Sequence, residues 1–205
     1  DPALLAAFRA VPREEFISGD YAEYAYADGP LPIESGQTIS QPYIVALTID
    51  AAEIGPSDKV LEIGAGSGYA AAVIGRIAKE VIAIERHREL VDLAEQRMGR
   101  LGYDNVRILE GDGTRGCPAE APFDAIVAAA SGSHVPTVLI DQLMTGGRIV
   151  MPIGDPHAVQ SLVKLTKRED GTEREELRAE LTQEYEDALL NPYTAARSRK
   201  NAPMN

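Results

Sequence analysis

The sequence predicts an α/β protein with a doubly wound, mainly parallel sheet. A helical and loop extension precedes the sheet, and an antiparallel hairpin follows it. Three observations carry this expectation. From residue 59 onward, short apolar runs alternate with stretches of helical spacing, the pattern of successive right-handed β–α–β crossovers. A glycine-rich turn at 64–68 joins the first apolar run to an Ala-rich stretch. Asp170-Gly171 follows a run of alternating polarity, a strong hairpin signal.

Taken in order, residues 1–18 read as helical, because Leu4, Leu5, Phe8 and Val11 form one apolar stripe that Pro12 interrupts. Residues 19–42, rich in Gly, Pro, Tyr and Ser, read as a long ordered loop, which in a compact domain is usually functional. Helical spacing returns at 43–54. Strands are expected at 59–63, 81–85, 106–109, 123–130 and 148–153. The 123–130 run is apolar almost throughout, as a strand covered on both faces should be. Helices are expected at 69–79, 90–101 and 136–144, the last followed by a Gly146-Gly147 turn into the fifth strand. Residues 161–168 alternate as a strand. Beyond 171 the pattern is ambiguous: Leu177, Leu181, Tyr185 and Leu189 fit a helical stripe, while Leu177, Ala179, Leu181 and Tyr185 fit a strand. Residues 191–205 lack periodicity and read as a tail or linker. The chain thus divides into an N-terminal segment 1–57, a core 58–190 and a tail 191–205. Its start at Asp1 rather than Met is what a piece of a longer protein would show.

The chain has 205 residues, 44% apolar and 25% charged, enough to bury a core. Its formal net charge of −12 repels phosphate backbones, so no nucleic-acid partner is expected. No run approaches the ~18 apolar residues of a membrane span. The single cysteine, Cys117, excludes an intramolecular disulfide, and a reducing, cytoplasmic location is expected.

The chemistry concentrates in Val60-Leu-Glu-Ile-Gly-Ala-Gly-Ser-Gly68. A strand ends, three glycines follow at alternate positions, and a helix begins. Glycine permits the tight turn and the close approach of a ligand, and the helix N-terminus offers free amides. Glu85 ends the second strand, where a carboxylate can accept ribose hydroxyls. A dinucleotide site shares this outline, but its third glycine would fall at position 69, which is Tyr69. Glu62, just before the turn, suits a cationic amino-acid end and would repel a pyrophosphate. Gly111-Asp112-Gly113 adds an acidic loop after the third strand that can bond an adenine amine. Together these describe a site for S-adenosylmethionine, with Glu62, Gly64, Ala65, Gly66, Ser67, Gly68, Glu85, Arg86, Asp112 and Gly113 as the cofactor-binding set.

This arrangement resembles the Rossmann-like class I methyltransferases. Gly36-Gln-Thr-Ile-Ser-Gln-Pro-Tyr43, preceded by Leu31-Pro-Ile, resembles the signature loop of the protein-L-isoaspartate (D-aspartate) O-methyltransferases. The likeness extends to Val11-Pro-Arg-Glu-Glu-Phe16, Ala121-Pro-Phe-Asp-Ala-Ile126 and Gly146-Gly-Arg-Ile-Val-Met-Pro-Ile-Gly154. The resemblance implies methyl transfer from S-adenosylmethionine, leaving S-adenosylhomocysteine, to the free α-carboxylate of isoaspartyl residues in damaged proteins or peptides. The ester then cyclises to a succinimide. It also implies that Thr38, Ile39 and Ser40 bind the acceptor, with Ser40 as the catalytic hydroxyl. Read from the residues alone, Ser40 also fits a helix N-cap, since Ser-Gln-Pro precedes an apolar-periodic run.

The chain departs from the family at Glu180-Leu-Thr-Gln-Glu-Tyr-Glu-Asp187, an acidic stretch where a Val-Arg-Phe-Val-Pro-Leu-like strand is usual. Two alternatives follow: a carboxyl methyltransferase for an ordinary Asp in a dedicated peptide, or a binding module without turnover. His87, His134 and His157 are too scattered for a metal site, so no metal is expected; His134 lies near the site edge. Cys117 has no base nearby in sequence and is not expected to be catalytic, and Ser131 lacks a hydrolase elbow. Tyr21, Tyr24 and Tyr26 are expected to pack their loop onto the core, with a peptide groove as the alternative.

Overall fold

The computed structural model describes residues 1–154 and 160–177. Helix α1 (Pro2–Ala10) opens the chain, capped by Asp1, whose side chain accepts from the Ala3 amide. Pro12 follows, and the chain continues as a short 3₁₀ turn, Arg13–Phe16. The expected loop at 19–42 is more structured than its composition suggests. It holds a 3₁₀ turn (Gly19–Tyr24) and a small hairpin of β1 (Leu31–Pro32) and β2 (Thr38–Ile39). Helix α2 (Pro42–Ala51) begins with proline in its first turn, where no amide is missed.

The core sheet follows. Its elements are β3 (Lys59–Ile63), α3 (Tyr69–Gly75), β4 (Glu80–Glu85), α4 (Arg88–Leu101), β5 (Val106–Glu110), β6 (Phe123–Ala128), α5 (Thr137–Asp141), β7 (Leu143–Ile153), β8 (Ser161–Arg168) and β9 (Gly171–Leu177). The strands lie in the order β5-β4-β3-β6-β7-β8-β9. The first five are parallel, and β8 and β9 add antiparallel. The chain steps outward from β3 to β5, then crosses to lay β6 on the other side of β3. That reversal opens a crevice beyond the carboxyl ends of β3 and β6, where open α/β sheets bind ligands.

The central strands of the sheet are covered on both faces. On one, Val60, Val81 and Val150 share an apolar cluster with Leu4, Phe8, Val11 and Phe16 of the N-terminal segment. On the other, Leu61, Ile82, Ile126 and Ile149 pack with Phe123, Leu139 and Leu143. Far from the crevice, Lys59 and Arg107 pair with Glu80 and Glu120 at 2.9–3.8 Å, tying the amino-terminal ends of β3 and β4 to β5.

The expected helix at 136–144 is shorter than its spacing suggests. It ends at Asp141, and Leu143 already pairs with Phe123 as strand. Gly146-Gly147 is therefore an irregularity inside β7 rather than a turn before it. Gly146 has φ +86°, and a Cβ on Gly147 would lie 2.9 Å from the Met144 carbonyl oxygen. Similarly, the helix expected at 69–79 ends at Gly75. Up to Leu177 the ambiguous segment is strand; Ala179, Leu181, Tyr185, Leu189, the 180–187 stretch and the 191–205 tail lie outside the described residues. The tyrosine expectation fails in part. Tyr26 receives the Arg13 amide and bonds Glu14, but Tyr21 and Tyr24 stand exposed because their 3₁₀ turn buries no residue.

Candidate functional site

The glycine-rich turn sits at the crevice. Gly64, Gly66 and Gly68 all have positive φ (+85°, +53° and +86°), a region costly for residues with a Cβ. Their surroundings differ. Gly64 abuts Ala129 and Ala130 after β6, placing the turn at the reversal point. A Cβ on Gly66 would meet, among the described residues, only Ile33 Cδ1 at 3.5 Å, so its backbone is approachable. A Cβ on Gly68 would meet Met98 and Ala94 at 3.0 and 3.3 Å, so this glycine lets α3 seat against α4.

One pocket gathers Thr38, Ile39 and Ser40 of the signature loop with Glu62, Gly64, Ala65, Gly66 and Ser67 of the turn. Residues as far apart as Thr38 and Pro152 thus close on one space, with Val127 to Ala129 also lining it. Sequence reading missed the apolar floor contributed by α2 (Ile44, Val45, Thr48, Ile49) and by Leu162 of β8. Its signal was present in the helical spacing of 43–54, though spacing alone does not say what a helix faces.

Glu62 is buried, and its Oε2 has no hydrogen-bond partner among the described residues. Burial, with the Glu85 charge adding to it, pushes its carboxyl up to about 8. An unpartnered acid in a pocket can receive a cationic group by giving up its proton.

Glu85 is also buried, but its oxygens are already engaged. Oε2 accepts from the Gly66 amide at 2.9 Å, and Oε1 accepts from the Arg86 and His87 amides at 2.8 and 3.0 Å. A carboxylate offers about four acceptor sites, so one remains for a ribose hydroxyl. The side chain therefore also holds the turn in shape. Arg86 contributes its backbone amide there, while its guanidinium turns to the His87 ring.

Asp112 and Gly113 do not line this pocket. Asp112 is exposed and accepts from the Thr114 amide and hydroxyl at 3.0 and 2.7 Å, which holds its carboxyl below the usual range. A Cβ on Gly113 would fall 2.4 Å from Ile63 Cγ2, so that glycine packs the loop against the end of β3. The acidic loop is thus beside the crevice, one strand beyond Glu85.

Ser40 is not the cap of α2. The N-cap is Gln41, which makes no side-chain cap bond; Asp28 reaches across instead, 3.4 Å from the Tyr43 amide. The capping alternative fails because the helix starts at Pro42, which puts Gln41 rather than Ser40 at the cap. The Ser40 backbone carbonyl is held by Arg13, 2.7 Å away. Tyr69, standing where a dinucleotide site has its third glycine, is buried beneath the N-terminal segment. Phe8 and Phe16 meet its ring edge-on, and the Arg13 guanidinium lies 4.7 Å over it.

Among the described residues, no His, Cys, Asp and Glu cluster of three or more could hold a metal. His134 is exposed and bonds Ser133, and His157 lies outside the described residues. Cys117 is half-buried, its amide held by Gln142. No described helix is long and apolar enough to cross a membrane.

The chain resembles known proteins along most of its length. Residues 1–182 match the family model "Protein-L-isoaspartate(D-aspartate) O-methyltransferase (PCMT)". Protein-L-isoaspartate O-methyltransferase 2 of Pelobacter propionicus is 53% identical over 178 residues, 86% of this chain and 79% of that protein. The Methylorubrum populi protein-L-isoaspartate O-methyltransferase is also 53% identical over 178 residues, 87% of this chain and 82% of its own. A solved protein-L-isoaspartate O-methyltransferase superposes with TM-score 0.78 at 30% identity, over 100% of this chain and 67% of its own. A Plasmodium falciparum structure, described as a putative member in complex with S-adenosyl-L-homocysteine, gives TM-score 0.74 at 27% identity, over 86% and 87%. With the glycine turn at the sheet reversal and the 36–43 loop closing over it, the family match spans both halves of the pocket, and the chain belongs to the protein-L-isoaspartate(D-aspartate) O-methyltransferase family.

Proposed function

We propose that this protein methylates the free α-carboxylate of L-isoaspartyl residues, and the side-chain carboxylate of D-aspartyl residues, in damaged proteins or peptides, using S-adenosylmethionine. The ester then closes to a succinimide, which begins repair. The observation that carries this reading is the single pocket shared by Thr38, Ile39 and Ser40 with Glu62 and Gly66. A cytoplasmic place of action belongs to the same reading, as does the division at residue 57 between an acceptor segment and a cofactor core.

The residues present fit the cofactor. Glu62 Oε2 is a buried acceptor without a partner among the described residues, and the backbone at Gly66 is open to close approach. Glu62 would take the cationic amino-acid end, the 64–68 turn the adjoining backbone, and the remaining acceptor site of Glu85 a ribose hydroxyl. Arg86, Asp112 and Gly113 complete the set at its rim. When bound, S-adenosylmethionine supplies an electrophilic methyl group. The acceptor carboxylate is ionised at neutral pH, with a reference pKa of roughly 4, so the protein needs no general base. Ser40 donates a hydrogen bond that orients the carboxylate. Ile39 and the α2 floor exclude water. Such alignment can supply about 7–11 kcal/mol of a barrier.

The test compares methyl transfer to an isoaspartyl peptide and to its aspartyl twin, in wild type and Ser40→Ala. The expected result is a base-labile ester on the isoaspartyl peptide alone. Ser40→Ala should cut turnover while leaving cofactor affinity intact and stability within about 0.5 kcal/mol. Transfer to the aspartyl twin instead would move the acceptor to a dedicated partner. Cofactor binding with no transfer to either would leave a binding module.

A further inference from the structure

Arg13 is fully buried, yet no carboxylate among the described residues pairs with it. Its Nε donates to the Ala25 carbonyl and its Nη2 to the Ser40 carbonyl, each at 2.7 Å. Its guanidinium lies 4.7 Å over the Tyr69 ring. Nη1 donates to no carbonyl or carboxylate among the described residues, and Tyr69 is the side chain that faces the guanidinium. Arginine stays protonated in proteins, so a whole positive charge sits behind the wall that carries Ser40. Burial opposes that charge and lowers the Arg13 pKa, with Tyr69, Tyr26 and Asp28 partly offsetting it.

Such a placement is costly if its only purpose is to hold two carbonyls. Taking an unpaired charge out of water carries a large penalty unless hydrogen bonds and nearby groups offset it. The surroundings suggest what the charge does. The Glu85 charge reaches the pocket and helps hold Glu62 protonated up to about 8, and Glu62 turns anionic when it gives up that proton to receive a cationic group. The net charge of the chain is −12. An anionic acceptor entering that field is repelled unless a cation lies near. Arg13 is bonded to the backbone of the residue that would touch the acceptor, and it stacks on the first residue of α3, directly after the glycine turn. It therefore joins the acceptor loop to the cofactor loop mechanically as well.

We propose that Arg13 is a positioning residue for the acceptor: it fixes the Ser40 peptide against Tyr69 and supplies the buried positive charge that makes this pocket prefer a carboxylate to a neutral amide. This rests on the methyl-transfer reading and deepens it. The two contributions separate by substitution. Arg13→Met removes bridge and charge. Arg13→Lys keeps the charge but cannot reach both carbonyls and the ring with a planar fork.

The experiment titrates the protein, loaded with S-adenosylhomocysteine, with two peptides. They are identical except that the isoaspartyl α-carboxyl is free in one and amidated in the other. Wild type should favour the free carboxylate by roughly tenfold or more, the size of one partly screened charge interaction. Arg13→Met should bring that ratio close to one while S-adenosylhomocysteine affinity stays within about twofold. In Arg13→Lys the ratio should persist while kcat falls roughly tenfold, through looser placement of Ser40. A merely structural arginine would leave the carboxylate-to-amide ratio untouched. Discrimination that survives in Arg13→Met overturns the role of Arg13 alone. If Arg13→Met does not fold, Arg13→Lys decides, and a wild-type kcat there overturns the positioning role. Wild-type protein that binds both peptides alike overturns the proposed function, and the role of Arg13 with it.

Discussion

At the end of β3, Glu62 trades hydration for a place in the pocket, and its protonation state becomes a property of the fold. Its carboxyl is raised from 4.5 to about 8, first by burial and then by Glu85. In the unfolded chain the proton leaves near 4.5; in the folded protein it is kept until about 8. The folded state therefore binds the extra proton across that window, and stability from this group falls as pH rises through it. The contribution is fully present below about 4.5 and gone above about 8. Thermal unfolding of the cofactor-free protein should show a higher Tm near pH 6 than near pH 8.5, with Glu62→Gln flattening that difference. An unchanged pH slope in Glu62→Gln would assign the raised acid elsewhere. Glu62 and the glycines were legible in the sequence because their roles follow from local order: strand, acid, tight turn, helix. Arg13 and the bracing of Ser40 were not. They depend on contacts 27 and 56 positions apart, to Ser40 and Tyr69, that no spacing rule encodes.

The elements show the same division between local and distant causes. Strands β3, β4 and β6 fall where their apolar runs place them, because a strand covered on both faces needs little beyond continuous hydrophobicity. The reading stumbled at 136–144, where helical spacing yields to pairing. Leu143 finds Phe123 across the sheet, and two glycines absorb the resulting irregularity in β7. Within the turn at 64–68, equal sequence signals conceal unequal roles. Gly68 serves the packing of α3 on α4, whereas Gly66 faces the pocket. The two should therefore fail differently. Gly68→Ala should lower stability by about 1–3 kcal/mol through strain and crowding, while the folded fraction still binds S-adenosylhomocysteine. Gly66→Val should suffer strain of similar size but lose binding outright. Calorimetric titration alongside denaturant melts separates the two, and normal binding by folded Gly66→Val would remove the turn from the cofactor site.

Across the described residues, the candidate site and a charged network occupy opposite ends of one sheet. The carboxyl ends of β3, β4 and β6 carry the acid, the turn and the pocket, while the Lys59, Glu80, Arg107 and Glu120 network closes the other end. The N-terminal segment completes the design. Its aromatic side chains cover Tyr69, and Arg13 reaches the Ser40 carbonyl, so the segment shares the core of the sheet instead of trailing from it. The central claim is that acceptor and cofactor meet in this one pocket. The most direct measurement is a crystal structure of the protein with S-adenosylhomocysteine and an isoaspartyl peptide. The account predicts the peptide α-carboxylate about 2.5–3.0 Å from Ser40 Oγ, with Glu62 and the Gly66 backbone against the cofactor. A peptide carboxylate bound on another face, away from Ser40, would contradict it.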